Sequence, residues 1–318
     1  MRERVDGNQG ADPDVQFMTM TGARSFTPIP FRAAAPGEGY FEDDSPIRRV
    51  NRELIVAFSG ARALLVQASH PVMFEGFYDR TSGMGDPHGR LARTATVMNT
   101  IYFGRRDDAD AQTARIRAIH AQVRGVLPEP AGRFPAGTPY AADDPQFLLW
   151  TLAPLFESAE LIYRLYVGEL DRDGRDALWR DYRVVGRLFG LADAQMPVTI
   201  EDFDAYYAGM LGGGDHWVTP RARELGTAIV FHPPAPLRMR WLVESVNFVI
   251  AGSLPPALRK GYGISWDPVR EALRRGGAEY VRRVALPLLP RVVRNVPVAG
   301  GRMLPGPPEW AEDDVAAA

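Results

Sequence analysis

The sequence predicts an all-α protein, and three observations carry that expectation. From Arg48 onward apolar residues recur at helical spacing, beginning with Leu54, Ile55, Phe58, Ala61, Leu65 and Ala68. The pairs Asp86-Pro87, Asp144-Pro145 and Asp267-Pro268 have the form of an N-cap followed by a proline in the first helical turn. No G-x-S-x-G elbow and no G-x-G-x-x-G fingerprint follows a plausible strand.

Composition narrows the chemistry. With 318 residues and a net charge of -2 the chain is long enough for one large domain or two modest ones, and its balanced charge argues against nucleic-acid binding. It contains no cysteine, which removes disulfides, thiolate ligands, a cysteine nucleophile and the covalent attachment of c-type haem. Lys260 is the only lysine among 37 basic residues, so Schiff-base chemistry is unfavoured.

Residues 1–45 are rich in Gly, Pro and Asp and lack the apolar core of a signal peptide, so they read as an extension, flexible or loosely docked. Phe26, Ile29, Phe31, Tyr40 and Phe41 give it enough apolar surface to dock. A helix over 54–68 follows, with Gly60, Ala61 and Ala63 forming a small-residue patch. Pro71 disfavours helical geometry at His70 and ends this element, which makes His70 a cap or supporting residue more than a precisely aimed ligand.

Residues 86–125 organise the rest. A first helix from Pro87, capped by Asp86, puts Arg90, Arg93, Thr94 and Val97 on one face. A second, over 109–123, carries Ile116, Ile119, His120 and Val123 along its inner side and stops at Gly125. A histidine among branched aliphatics is more often a satisfied core residue than a ligand. Two guanidiniums among apolar neighbours, however, require an anion to meet them, because burying that charge alone costs several kcal/mol.

After a Pro- and Gly-rich loop over 127–139 come a buried helix from Asp144 and helices over 175–189, 200–211, 219–231 and 241–254, then one from Asp267. Trp150 and Tyr163 read as packing residues. Gly212, Gly213 and Gly214 lack the lysine of a phosphate loop. His88, His216 and His232 read as loop or cap residues, and the absence of H-E-x-x-H weakens zinc-protease and di-iron readings. No apolar run is long enough to span a bilayer, since 54–74 is broken by Arg62 and His70 and 241–254 by Glu244, so a soluble cytoplasmic protein is expected. Five arginines and no acid lie between Tyr280 and Pro308. The segment 281–302 could therefore lie on an anionic membrane or touch a lipid-like substrate, although an ordinary helix covering the core with a solvated arginine face is the safer reading. Residues 46–304 read as a single helical domain and 305–318 as a disordered tail.

The run Asp86-Pro87, Arg90-Leu91, Arg93-Thr94, Phe103-Gly104, His120, Val123 and Gly125 closely resembles the DP-x-x-RL-x-RT…FG…H-x-x-V-x-G pattern of the haem-containing oxygenases typified by rubber oxygenase (latex clearing protein) and the mycophenolic-acid-pathway oxygenase. The resemblance extends upstream through Gly60-Ala61, Leu64-Leu65, Gln67 and His70-Pro71. Downstream it takes in Tyr140, Ala142, Asp144-Pro145, Leu148, Trp150, Tyr163, Tyr206-Tyr207, Met210-Leu211 and Leu254-Pro255-Pro256, covering roughly 46 to 300.

The resemblance implies a globin-like helical core around a non-covalent b-type haem, with additional helices, and His120 as the proximal ligand of its iron. Ile116 and Val123 would keep water off the metal, with His70 in support. Arg90, Arg93 and Thr94 match the positions beside the haem, as partners of its propionates or of the oxygen or peroxide that meets iron opposite His120. The implied activity is oxygenation of an apolar small molecule; a haem or apolar-ligand carrier or sensor without turnover is the alternative. One departure is informative: the rubber-cleaving members have lysine where this chain has Arg93, and a guanidinium does not deprotonate to coordinate iron. The distal side is thus expected not to be closed by this residue.

Overall fold

The computed structural model describes residues 33–79, 87–233 and 235–296. The expected cap at Asp86, the tail from 305, and Phe26, Ile29 and Phe31 of the extension lie outside the described residues. Among the described residues the regular structure is helical apart from one small antiparallel hairpin.

Residues 33–45 lead in and are pinned along their length: Ala34 N donates to the Phe103 carbonyl (2.9 Å), Arg106 N to the Glu38 carbonyl (3.0 Å), and Phe41 is buried in the core. Helix α1 (Pro46–Asn51) follows, then a 3-10 turn (Leu54–Phe58), α2 (Ser59–Gln67) and α3 (Pro71–Asp79). The run expected as one helix over 54–68 is therefore split at Phe58, and the backbone tightens to the 3-10 form before it. Helix α4 (Pro87–Phe103) and α5 (Arg106–His120) form a helical hairpin across Gly104 and Arg105. Arg48, itself buried, holds the end of α4 by donating from Nε to the Tyr102 carbonyl (2.8 Å) and from Nη2 to the Phe103 carbonyl (3.1 Å), groups a helix C-terminus leaves without internal partners.

Strands β1 (Arg124–Val126) and β2 (Pro139–Ala141) pair antiparallel, with Gly125 opposite Tyr140. The 22-residue helix α6 (Pro145–Tyr166) is the central pillar. Asp144 caps it by accepting from Gln146 N, as its Asp-Pro opening predicts. Leu149, Leu152, Ala153, Phe156, Ala159 and Ile162 bury its faces. Helix α2 packs along it on one side and α7 (Arg172–Leu188) on another. Gly186 of α7 is required by close approach, because a Cβ there would meet Met196 Sδ at 2.5 Å and Leu152 Cδ2 at 3.0 Å.

The remaining helices, α8 (Ile200–Gly212), α9 (Pro220–Phe231), α10 (Arg240–Ser253) and α11 (Pro256–Gly261), close the core. Helix α12 (Pro268–Tyr280) runs through a π turn (Val281–Ala285) into α13 (Leu286–Leu288), and α14 (Arg291–Arg294) returns to Glu53, whose carboxylate takes both Arg294 Nε (2.6 Å) and Nη2 (2.9 Å). No helix among the described residues is long and apolar enough to cross a membrane.

Candidate functional site

The hairpin of α4 and α5 carries most of the residues singled out from sequence. Its register is set by a buried hydrogen bond in which Gln112 Nε2 donates to Thr100 Oγ1 (2.9 Å). Arg93 lies about two turns before Thr100 on α4, and His120 about two turns after Gln112 on α5. Arg93, Ile116 and His120 are half-buried, Thr94 is exposed, and Val97 is buried below them. Arg90 belongs to α4, but its side chain lies outside the described residues.

Two details differ from the helix expected over 109–123. Helix α5 begins at Arg106 and ends at His120, so the histidine is its last residue and not an interior one. Strand pairing causes this: Ala142 N donates to the Val123 carbonyl (2.9 Å), and Gly125 sits in β1, so the chain leaves the helix to enter the hairpin. Gly125 is accordingly not a helix cap. A Cβ at that position would run into the hydroxyl of Tyr140. Val123 is buried in a satellite cluster with Val72, Leu127, Ala131 and Tyr140, against which Phe134 and Phe147 pack.

His70 joins that cluster from the other side. It lies buried in the turn between α2 and α3, with its ring 5.2 Å from Phe134 and 5.6 Å from Phe147, centroid to centroid. Burial pushes its pKa below the usual imidazole value, against the pull of Asp215. The structure thus brings His70 and Val123 together through two phenylalanines, on the hairpin side of the molecule.

Next to His70 is a group that sequence reasoning missed. His216, expected as a loop residue, is half-buried, with Nδ1 2.5 Å from Ser69 Oγ and its ring 4.8 Å from Trp150 and 6.3 Å from His70. Burial, reinforced by the neighbouring His70, pushes its pKa down to about 4. Trp150 Nε1 and His216 Nε2 are buried with no hydrogen-bond partner among the described residues. Such orphaned atoms are rare in folded proteins and could serve a small polar guest. The spacing of Ser69 and Trp150 from His216 along the chain gave no local signal for this meeting.

Tyr207 stacks on Trp150 at 5.7 Å and donates from its hydroxyl to Glu157 Oε2 (3.0 Å). Glu157 in turn forms an ion pair with Arg62, which is 1% exposed and also donates to Ser158 Oγ (2.5 Å) and the Ser253 carbonyl (3.1 Å). Arg62 and Glu157 line a cavity of about 630 Å³ that continues between α10, α11 and α12 past Arg259, Trp266 and Arg274. A continuous row of polar and aromatic side chains therefore runs from this cavity to His70. The cavity does not reach Arg93 or His120.

No group of three or more His, Cys, Asp or Glu side chains able to hold a metal ion occurs among the described residues. A metal centre built on them would have to bring most of its own donors. A porphyrin does so and asks the protein for an axial imidazole and for cations near its carboxylates. The half-buried His120, with Arg93 on the adjoining helix and Ile116 and Val123 near it in the chain, fits that requirement in donor chemistry.

Comparison with known proteins gives an independent result. A family model described as the catalytic domain of ER-bound oxygenase mpaB/B' and rubber oxygenase matches residues 47–285. The chain is 25% identical over 186 residues to two proteins described as uncharacterized, Mb2261 of Mycobacterium bovis and Rv2237 of Mycobacterium tuberculosis, covering 58% of this chain and 69% of each of them. No solved structure matches. With three quarters of its length inside the family model, the chain belongs to the family of mpaB and rubber oxygenase catalytic domains.

Proposed function

We propose that this protein is a b-type haem-dependent oxygenase acting on an apolar small molecule, with a globin-like arrangement of helices around the cofactor. Membership of an oxygenase family supports the reaction class. The observation that carries the cofactor reading is the donor set: one half-buried imidazole at the end of α5 and a half-buried guanidinium on α4, the helix joined to it by a short turn, in a chain whose described residues offer no multidentate metal site.

In this reading His120 holds the iron and haem supplies redox chemistry on oxygen or peroxide. Arg90 and Arg93 provide positive charge for the propionates or for negative charge that develops on the oxidant. The Thr94 hydroxyl, exposed at the surface of α4, is a hydrogen-bond donor on the next residue. Val123 and Ile116 exclude water beside His120, and His70 buttresses Val123 through Phe134 and Phe147. Arginine at position 93 is permanently cationic and would supply charge without itself coordinating the metal.

The test is haem analysis of the purified full chain combined with oxygen uptake in the presence of apolar candidate substrates. The proposal expects a stoichiometric, acid-acetone-extractable haem and substrate-dependent oxygen consumption. Haem without consumption across such a series makes the protein a carrier or sensor, and failure to take up haem overturns the cofactor assignment.

A further inference from the structure

We infer that the face formed by α10, α12 and α13 docks on an anionic lipid bilayer. Along the continuous run from α12 through the π turn to α13, Val269, Leu273, Tyr280, Val284 and Leu288 follow one another at intervals of four or seven residues and are all exposed, Leu288 by 78%. This is an apolar stripe on the outside of the molecule, where a helix covering a core should show its polar side.

Helix α10 extends the same surface. A Cβ at Gly252 would touch both Arg274 and Trp266, and a groove of about 380 Å³ between the two helices is lined by Glu244, Ser245 and Phe248 from one and Leu273, Gly277 and Val281 from the other. The helices therefore run antiparallel. That order carries Leu237 and Trp241, 85% and 70% exposed, towards the Val284 and Leu288 end. Contiguous exposed apolar groups of this extent mark an interaction surface, and exposed Trp and Tyr suit the polar-apolar boundary of a bilayer.

Charge identifies the partner. Residues 237–296 hold ten arginines and one lysine against four carboxylates, in a chain whose overall charge is -2. Arg294 is taken up by Glu53 and Arg282 also meets Glu169, yet the acids along α12 leave a surplus, because Glu271 is shared by Arg274 and Arg275, and Glu279 by Arg282 and Arg283. Pairing with a second copy of the same face would bring two net-positive rims together, whereas anionic headgroups match them. An apolar stripe between basic rims is the arrangement by which an amphipathic helix lies in the plane of a membrane surface.

Cosedimentation of the full chain with vesicles tests this. The expected result is binding to phosphatidylglycerol vesicles, little binding to phosphatidylcholine vesicles, and several-fold weakening when salt is raised. Leu273→Glu combined with Leu288→Glu should lower partitioning at least tenfold while leaving the melting temperature essentially unchanged, since both side chains are exposed. Equal binding to both vesicle types, equal binding by the double variant, or no binding to anionic vesicles overturns the proposal. So does a dimer in solution that the same substitutions dissolve.

Discussion

Replacing Glu157 by alanine should expose the cost of the most deeply buried charge in the described core. Arg62 is 1% exposed and directs Nη1 and Nη2 to the two oxygens of Glu157, Nη1 also to Ser158 Oγ, and Nε to the Ser253 carbonyl. Removing the carboxylate leaves a guanidinium satisfied by neutral acceptors alone, a loss of about 3–5 kcal/mol for a fully buried pair. The Glu157 side chain keeps 19% exposure, so water can enter the space it leaves, which lowers the expectation to roughly 2–4 kcal/mol. The Tyr207 hydroxyl also loses its acceptor, about 1 kcal/mol within that range. Urea unfolding should show the change in the midpoint at unaltered slope. Arg62→Met combined with Glu157→Leu should recover most of the loss, because the desolvation cost of both ions disappears with them. A single-variant cost below about 1 kcal/mol, or a double variant as unstable as the sum of its singles, would refute the assignment of a mutually dependent pair.

Three further outcomes are expected. His216, held neutral with its pKa near 4, and His70, shifted in the same direction, favour the deprotonated form in the folded state. An unfolded histidine titrates near 6.5, so between about pH 6.5 and 4 the unfolded chain binds more protons. Stability should then be full above that window and decline through it, by on the order of 2 kcal/mol for His216, and His216→Gln should flatten the decline in thermal melts. Gly125→Ala should destabilise by about 1–3 kcal/mol through the clash with Tyr140, and Tyr140→Phe in that background should restore part of it, since the hydroxyl is the nearest atom; no recovery would make the ring carbon Cζ, 2.6 Å from the added Cβ, the obstacle instead. Asp144→Ala should cost about 1 kcal/mol by removing the acceptor for Gln146 N at the start of α6, measurable as an equal fall in denaturation free energy.

What could be read from the sequence was local. Asp144 and Asp267 cap helices as their Asp-Pro openings predict, because an N-cap is decided within four residues. The family motifs Arg93-Thr94 and His120 fall on two helices joined by a short turn, as their periodicity required. The end of α5 was not legible, since the pairing of Gly125 with Tyr140 competes with the helix from across a loop. The Ser69, Trp150 and His216 group was not legible either: its members come from the α2 exit, α6 and the segment before α9, and no spacing rule connects them. Arg62 looked like an interruption in an apolar run and proved to be a buried ion-pair partner, because its acid, Glu157, is supplied by α6. Of the α12 face the sequence showed only the basic run over 281–302; the apolar stripe, and that nothing among the described residues covers it, follow from the packing.

The central claim, that His120 is the axial ligand of a bound haem, is tested most directly by the absorption spectrum of the haem-reconstituted full chain and of its histidine variants. The account predicts a Soret band for the parent that is lost or shifted in His120→Ala and retained in His216→Gln, whose ring is held by Ser69 beside Trp150. A His120→Ala spectrum identical to the parent's, or a band that disappears with His216 instead, would contradict it.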